Sequence, residues 1–249
     1  MPNNRLCIIC DMRKSESCFE RKGEHIVPRS LGSRKLRTPH VCRECNGGLG
    51  TIDIALKNAD GVMLACYDRD VGGARSGRSG NRSAKNSPKN DDEAIDIIKL
   101  SAPRPKPFEE NPDIKGAILK IAYEATHLRL GNDWLRDPIT VTIKNILFAY
   151  VNKNKTIARE HINSINIRDI NIDAFYYVIN KSRSELIKRA ISSKSCLNAL
   201  WIIPFKTETK TDGDRLAIVY DIEGIAPGYV EVGKSTWGID EAELLAPQL

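Results

Sequence analysis

Four cysteines in the first fifth of the chain are spaced for metal chemistry. Cys7-Ile8-Ile9-Cys10 and Cys42-Arg43-Glu44-Cys45 are two CxxC pairs with 31 residues between them. A CxxC turn sets two thiolates on one side of a tight knuckle, and two knuckles complete a tetrahedral site with Zn–S bonds of about 2.3 Å. One pair alone would fit a redox site equally. Two pairs in one short segment read as structural zinc. Four protein ligands leave no open position, so this ion holds the fold and leaves the chemistry to other residues. Cys18, Cys66 and Cys196 have no such company and read as ordinary reduced thiols. A simple zinc ribbon spaces its pairs by roughly 15–20 residues. The longer insertion here leaves room for an additional β-hairpin.

That insertion holds Gly23-Glu24-His25-Ile26-Val27-Pro28-Arg29-Ser30-Leu31-Gly32, and His40-Val41-Cys42-Arg43-Glu44-Cys45-Asn46-Gly47-Gly48 follows. Glu-His-Ile-x-Pro and CxxC-Asn inside a double CxxC frame resemble the HNH, or ββα-metal, endonucleases, in particular their stand-alone zinc-containing branch. The resemblance covers about residues 5–56. It implies a phosphodiester hydrolase with His25 as general base and Glu24 and Asn46 as ligands of a catalytic divalent ion. A neutral imidazole near pH 7 can take a proton from attacking water, a role worth roughly 10²–10⁴-fold in rate. A carboxylate and an amide oxygen suit Mg²⁺ or Mn²⁺. Neighbouring strand residues face opposite ways, so Glu24 and His25 need a local twist or bulge to serve one site.

The family's middle residue, usually an asparagine that orients the histidine, has no clear equivalent; Arg37, Thr38 and His40 fall in that stretch, and His40 is the preferred candidate. Asp53 is a support of the helix start, a residue that contacts a metal ligand from behind, or a solvated helix acid. Arg29 and Arg43 are candidates for phosphate contacts. Relatives of this kind often serve restriction, defence or mobile elements, which is analogy alone. Two other readings use the same residues. One is a treble-clef zinc finger that binds nucleic acid without cutting it, the other an interaction scaffold stapled by zinc.

The charge fits a polyanion partner, with double-stranded DNA the expectation. Net charge is +6 over 249 residues, and residues 1–50 carry ten Lys/Arg against five Asp/Glu. Such a patch attracts phosphates through counterion release. No apolar run approaches about 18 residues, which argues against a membrane span. No secretory signal layout is visible, so a cytoplasmic location is the default expectation. A homodimer able to cut both strands is compatible with the sequence and not encoded in any motif.

The elements that must position these residues read as an α+β fold in three regions. Residues 1–70 form the zinc-bound, treble-clef-like ββα-metal module. Residues 71–110 form a basic, then proline-rich linker, with GGARSGRSGNRSAKNSPKN as its core. Residues 111–249 form an α+β domain for target recognition or oligomerisation. There Asn111-Pro112-Asp113 is a helix start. Apolar residues recur at Ile114, Ala117, Ile118, Ile121, Ala122, Ala125 and Leu128, and Gly131 is a natural stop. Residues 139–151 form a second helix. The β-branched and aromatic runs at 172–179, 197–205 and 215–222 read as strands, the last two joined as a hairpin. Trp134, Trp201 and Trp237 read as core residues rather than base-stacking ones.

Overall fold

A computed structural model describes residues 4–31, 36–59, 61–63, 111–179, 196–206 and 213–246. The linker at 71–110 and the turn at 207–212 lie outside the described residues.

The N-terminal part is built from two small hairpins and a helix. Strands β1 (Asn4–Leu6) and β2 (Arg13–Ser15) pair antiparallel around the first CxxC knuckle. Strands β3 (Glu24–His25) and β4 (Arg37–Thr38) pair antiparallel within the insertion. Helix α1 (Arg43–Lys57) follows at once, buries Cys45, Leu49, Ile52 and Leu56, and is capped by Cys42.

The remainder places helices on both faces of one antiparallel sheet. Helix α2 (Pro112–Leu130) starts where the Asn111 side chain accepts from the amides of Asp113 and Ile114, and it stops at Gly131 with φ 76°. Helices α3 (Pro138–Val151) and α4 (Lys155–Ile162) follow. The sheet comprises β5 (Ile167–Asp169), β6 (Leu197–Lys206), β7 (Asp214–Ile222), β8 (Gly228–Gly233) and β9 (Glu243–Ala246). Its order is β5-β8-β7-β6-β9. Alternate residues divide its two faces, as the period of two requires. Leu200, Ile202, Ile218 and Val230 join the core that contains α2 and α3, while Ala199, Trp201 and Val219 pack with Ile172 and Tyr176.

Those last two residues lie on a helix, α5 (Ile172–Val178), and not on the strand expected from composition. The Asn171 side chain accepts from the amide of Ala174 at 3.0 Å and starts a turn that the aromatic residues then dock onto the sheet. The hairpin of β6 and β7 is as expected, with Lys206 opposite Asp214. Trp134 and Trp201 are buried, and Trp237 is partly buried against the core.

The zinc-binding segment and the later helices share one hydrophobic core. Tyr123 on α2 donates to the Ile8 carbonyl inside the first knuckle at 2.8 Å. The amide of Cys196 donates to the Leu31 carbonyl at 2.8 Å, tying the insertion to the start of β6. Helix α1 crosses α3 so closely that a Cβ on Gly48 would lie 2.7 Å from the Val151 Cα, so no larger residue fits there without displacing a helix.

Candidate active site and metal centre

The four sulfurs of Cys7, Cys10, Cys42 and Cys45 lie within 4.8 Å of one another. A tetrahedral zinc with bonds of about 2.3 Å needs sulfurs roughly 3.8 Å apart, and the cluster fits. Its surroundings favour a thiolate at Cys7, whereas burial pushes the Cys10 thiol up and the hydrogen bond to Cys7 pushes the Cys45 thiol up. The amide of Cys42 donates to Cys7 Sγ at 3.4 Å. The Cys45 thiol, and then the amides of Cys10, Cys42 and Ile9, hold the Cys7 thiol down to about 4 against the cost of burial. Lys14, whose Nζ is 2.7 Å from a Glu44 carboxylate oxygen, is held above the ordinary lysine value by that carboxylate, with the sulfurs of Cys42 and Cys10 adding to the effect. An ammonium beside a four-thiolate site offsets part of its negative charge.

The second knuckle and the start of α1 are the same piece of chain. Cys42 caps the helix, Cys45 lies in its first turn, and Asn46 follows with its amide donating to the Cys42 carbonyl at 2.9 Å. Fixing the sulfurs therefore fixes the position from which the half-buried Asn46 projects.

Glu24 and His25 occupy β3, opposite Thr38 and Arg37 respectively. Both are half-buried, and His25 Nδ1 is closed off from solvent. The turn into β3 depends on Gly23, which has φ +75° and would bring a Cβ to 2.9 Å from the Thr38 carbonyl oxygen. Arg37 Nη1 donates to that glycine's carbonyl at 3.0 Å, bracing the entry to β3.

His40 sits beyond β4. Its amide donates to Thr38 Oγ1 at 3.2 Å, and its ring packs edge-on against His127 of α2 at 4.9 Å. The residue facing His25 across the hairpin is Arg37. Arg29 is exposed, and Arg43 is exposed and paired with Glu20 at 3.0 Å.

Asp53 is neither solvated nor at the helix start. Both its oxygens accept from Lys120 of α2, at 3.0 and 2.8 Å. Lys120, Glu124 and His127 recur at helical spacing, one face of α2, and all three are buried. Their polar stripe resembles the solvent side of an amphipathic helix, which is why sequence reasoning passed over it.

Neither oxygen of Glu124 has a hydrogen-bond partner among the described residues. Burial pushes its carboxyl up to about 8; Lys120 opposes the shift, and the charges of Asp53 and Glu24 add to it. An acid raised on folding retains its proton in the native state, so stability falls as pH climbs from the unfolded carboxyl value through about 8. The half-buried His40 and the buried His127 are lowered by desolvation and cost stability only below their ordinary range. The carboxyl's effect is therefore read above pH ~6.5. Between pH ~6.5 and ~8.5 the wild-type melting temperature should fall by several degrees, and Glu124→Gln should flatten that slope. Equal slopes in the two proteins would contradict the assignment.

A four-sulfur centre, an intervening Glu-His hairpin and a helix that starts at the second knuckle are now in place. Residues 7–59 match the HNH endonuclease family. The match covers about a fifth of the chain and ends before α2, so Lys120, Glu124 and His127 lie outside the HNH segment. No curated protein and no solved structure gives a significant match to the chain. No helix among the described residues is long and apolar enough to cross a membrane.

Proposed function

We propose that the chain is a metal-dependent endonuclease that hydrolyses phosphodiester bonds in double-stranded DNA. The observation that carries this reading is the placement of Glu24 and His25 on a hairpin inside a four-cysteine frame, with Asn46 next to a sulfur ligand, all within the segment that matches HNH endonucleases. Glu24 and Asn46 would hold Mg²⁺ or Mn²⁺ through a carboxylate and an amide oxygen. The bound ion supplies neutralisation of charge on the phosphate and the leaving 3′-oxygen. His25 accepts a proton from the water whose oxygen bonds to phosphorus as the P–O3′ bond breaks.

Arg37 takes the positioning part that the family gives to an asparagine. It stands across from His25 and holds the Gly23 carbonyl, so it sets the path of β3. The insertion of Arg29 and the helix start at Arg43 present exposed guanidinium groups for phosphate contacts. In this reading residues 1–70 cut and residues 111–249 position the target. A homodimer would bring two such sites to opposite strands, and a restriction or phage-defence setting suits an enzyme of this kind.

The test is supercoiled plasmid incubated with zinc-loaded protein and Mg²⁺ or Mn²⁺. Nicking by the wild type, lost in Glu24→Ala and in Asn46→Ala, is expected. DNA binding without nicking under either metal would instead identify a zinc finger that only binds.

A further inference from the structure

The HNH segment does not contain all of the buried charge around its own site. Lys120 is fully buried, with 0% of its side chain exposed, and its Nζ lies 2.8 Å from Asp53 at 21% exposure. Asp53 stands seven residues after Asn46 on α1, two turns along the same side of the helix. Glu124 stands one turn beyond Lys120 on α2, also fully buried. Helix α2 packs against α1 and against β4, the strand paired with Glu24 and His25. Helix α1, which carries Asn46, thus meets α2 at the Lys120 ammonium, and β4, the partner of the Glu24 strand, packs on the same helix.

Stability alone explains this poorly. Removing an ammonium from water costs several kcal/mol, and apolar residues of similar volume commonly replace buried ion pairs without loss. Burial opposes the ammonium of Lys120, while the charges of Asp53 and Glu24 favour it.

We propose that Lys120 is a positioning residue of the nuclease site: with Asp53 it locks α1 to α2, and its fixed positive charge sets the potential in which Glu24 and Asn46 take their divalent ion. This rests on the metal assignment of the preceding subsection. It makes α2 a wall of the site although the helix lies outside the HNH segment.

The test is Mn²⁺ affinity, read by electron paramagnetic resonance on the zinc-loaded full chain without DNA. Lys120→Met removes a positive charge and should tighten Mn²⁺ binding by about three- to tenfold. Asp53→Asn removes a negative charge and should weaken it by a similar factor. A tie that serves structure alone would move both variants in one direction or neither, and either result overturns the proposal. Should Lys120→Met fail to fold, Lys120→Gln takes its place, and weakened or unchanged Mn²⁺ affinity there overturns the proposal. Glu24→Gln separates the two levels. Loss of Mn²⁺ binding there supports the metal assignment, whereas unchanged binding sinks that assignment itself.

Discussion

Cys45→Ser, or stripping the four-cysteine ion with a strong chelator, lowers the melting temperature of the whole chain by more than about 10 °C and unravels the N-terminal hairpins. The size follows from how little else holds them. Strands β1 and β2 have three residues each, β3 and β4 two each. Hairpins this short are marginal in water without a staple. Structural zinc contributes on the order of 10 kcal/mol of apparent binding energy at neutral pH. Loss of even half of that in a chain of this size corresponds to about 10–20 °C. The effect spreads because Tyr123, Leu31 and α1 connect the zinc segment to the shared core. Calorimetry with a colorimetric zinc-release assay checks both halves of the result. Zinc-free protein that melts at the wild-type temperature would contradict it.

His25→Ala lowers the single-turnover nicking rate by about 10²–10⁴-fold, the range for removal of a general base. The fold should survive, because the side chain is half-buried on a two-residue strand and the sulfur centre is untouched. Melting temperature and Mn²⁺ affinity should stay close to wild type, which separates lost chemistry from lost structure. Added imidazole should restore part of the rate by entering the space the ring leaves. A variant that nicks at the wild-type rate would remove His25 from the reaction.

Local signals were the legible ones. The CxxC pairs, the Asn111 cap and the Gly131 stop each declare themselves within a few residues, and the structure contains all of them. The β6–β7 hairpin was readable because long β-branched runs flank a turn. Helix α5 was not, since IDAFYYVI has strand composition and only the Asn171 cap, an echo of Asn111, points the other way. Propensity there yields to a cap and to docking of Tyr176 on the sheet.

The proposed site is legible only as far as its motif extends. Glu24, His25, Asn46 and the sulfurs lie within the matched segment. The part proposed for α2 depends on contacts between residues 67 apart, as in Lys120 and Asp53, which no local pattern reveals. A polar stripe on an otherwise apolar helix reads as a solvent face, and here it is buried against α1. Of the candidates in the stretch that holds His40, register places Arg37 opposite His25, and the His40 ring packs against His127.

The most direct measurement is anomalous diffraction at the manganese edge from zinc-loaded crystals soaked in Mn²⁺. The account predicts a peak touching a Glu24 carboxylate oxygen and the Asn46 amide oxygen, with the His25 imidazole within one water of it, separate from the sulfur-bound zinc. Manganese bound elsewhere, with Glu24, His25 and Asn46 directed to different sides of the hairpin and helix, would contradict it.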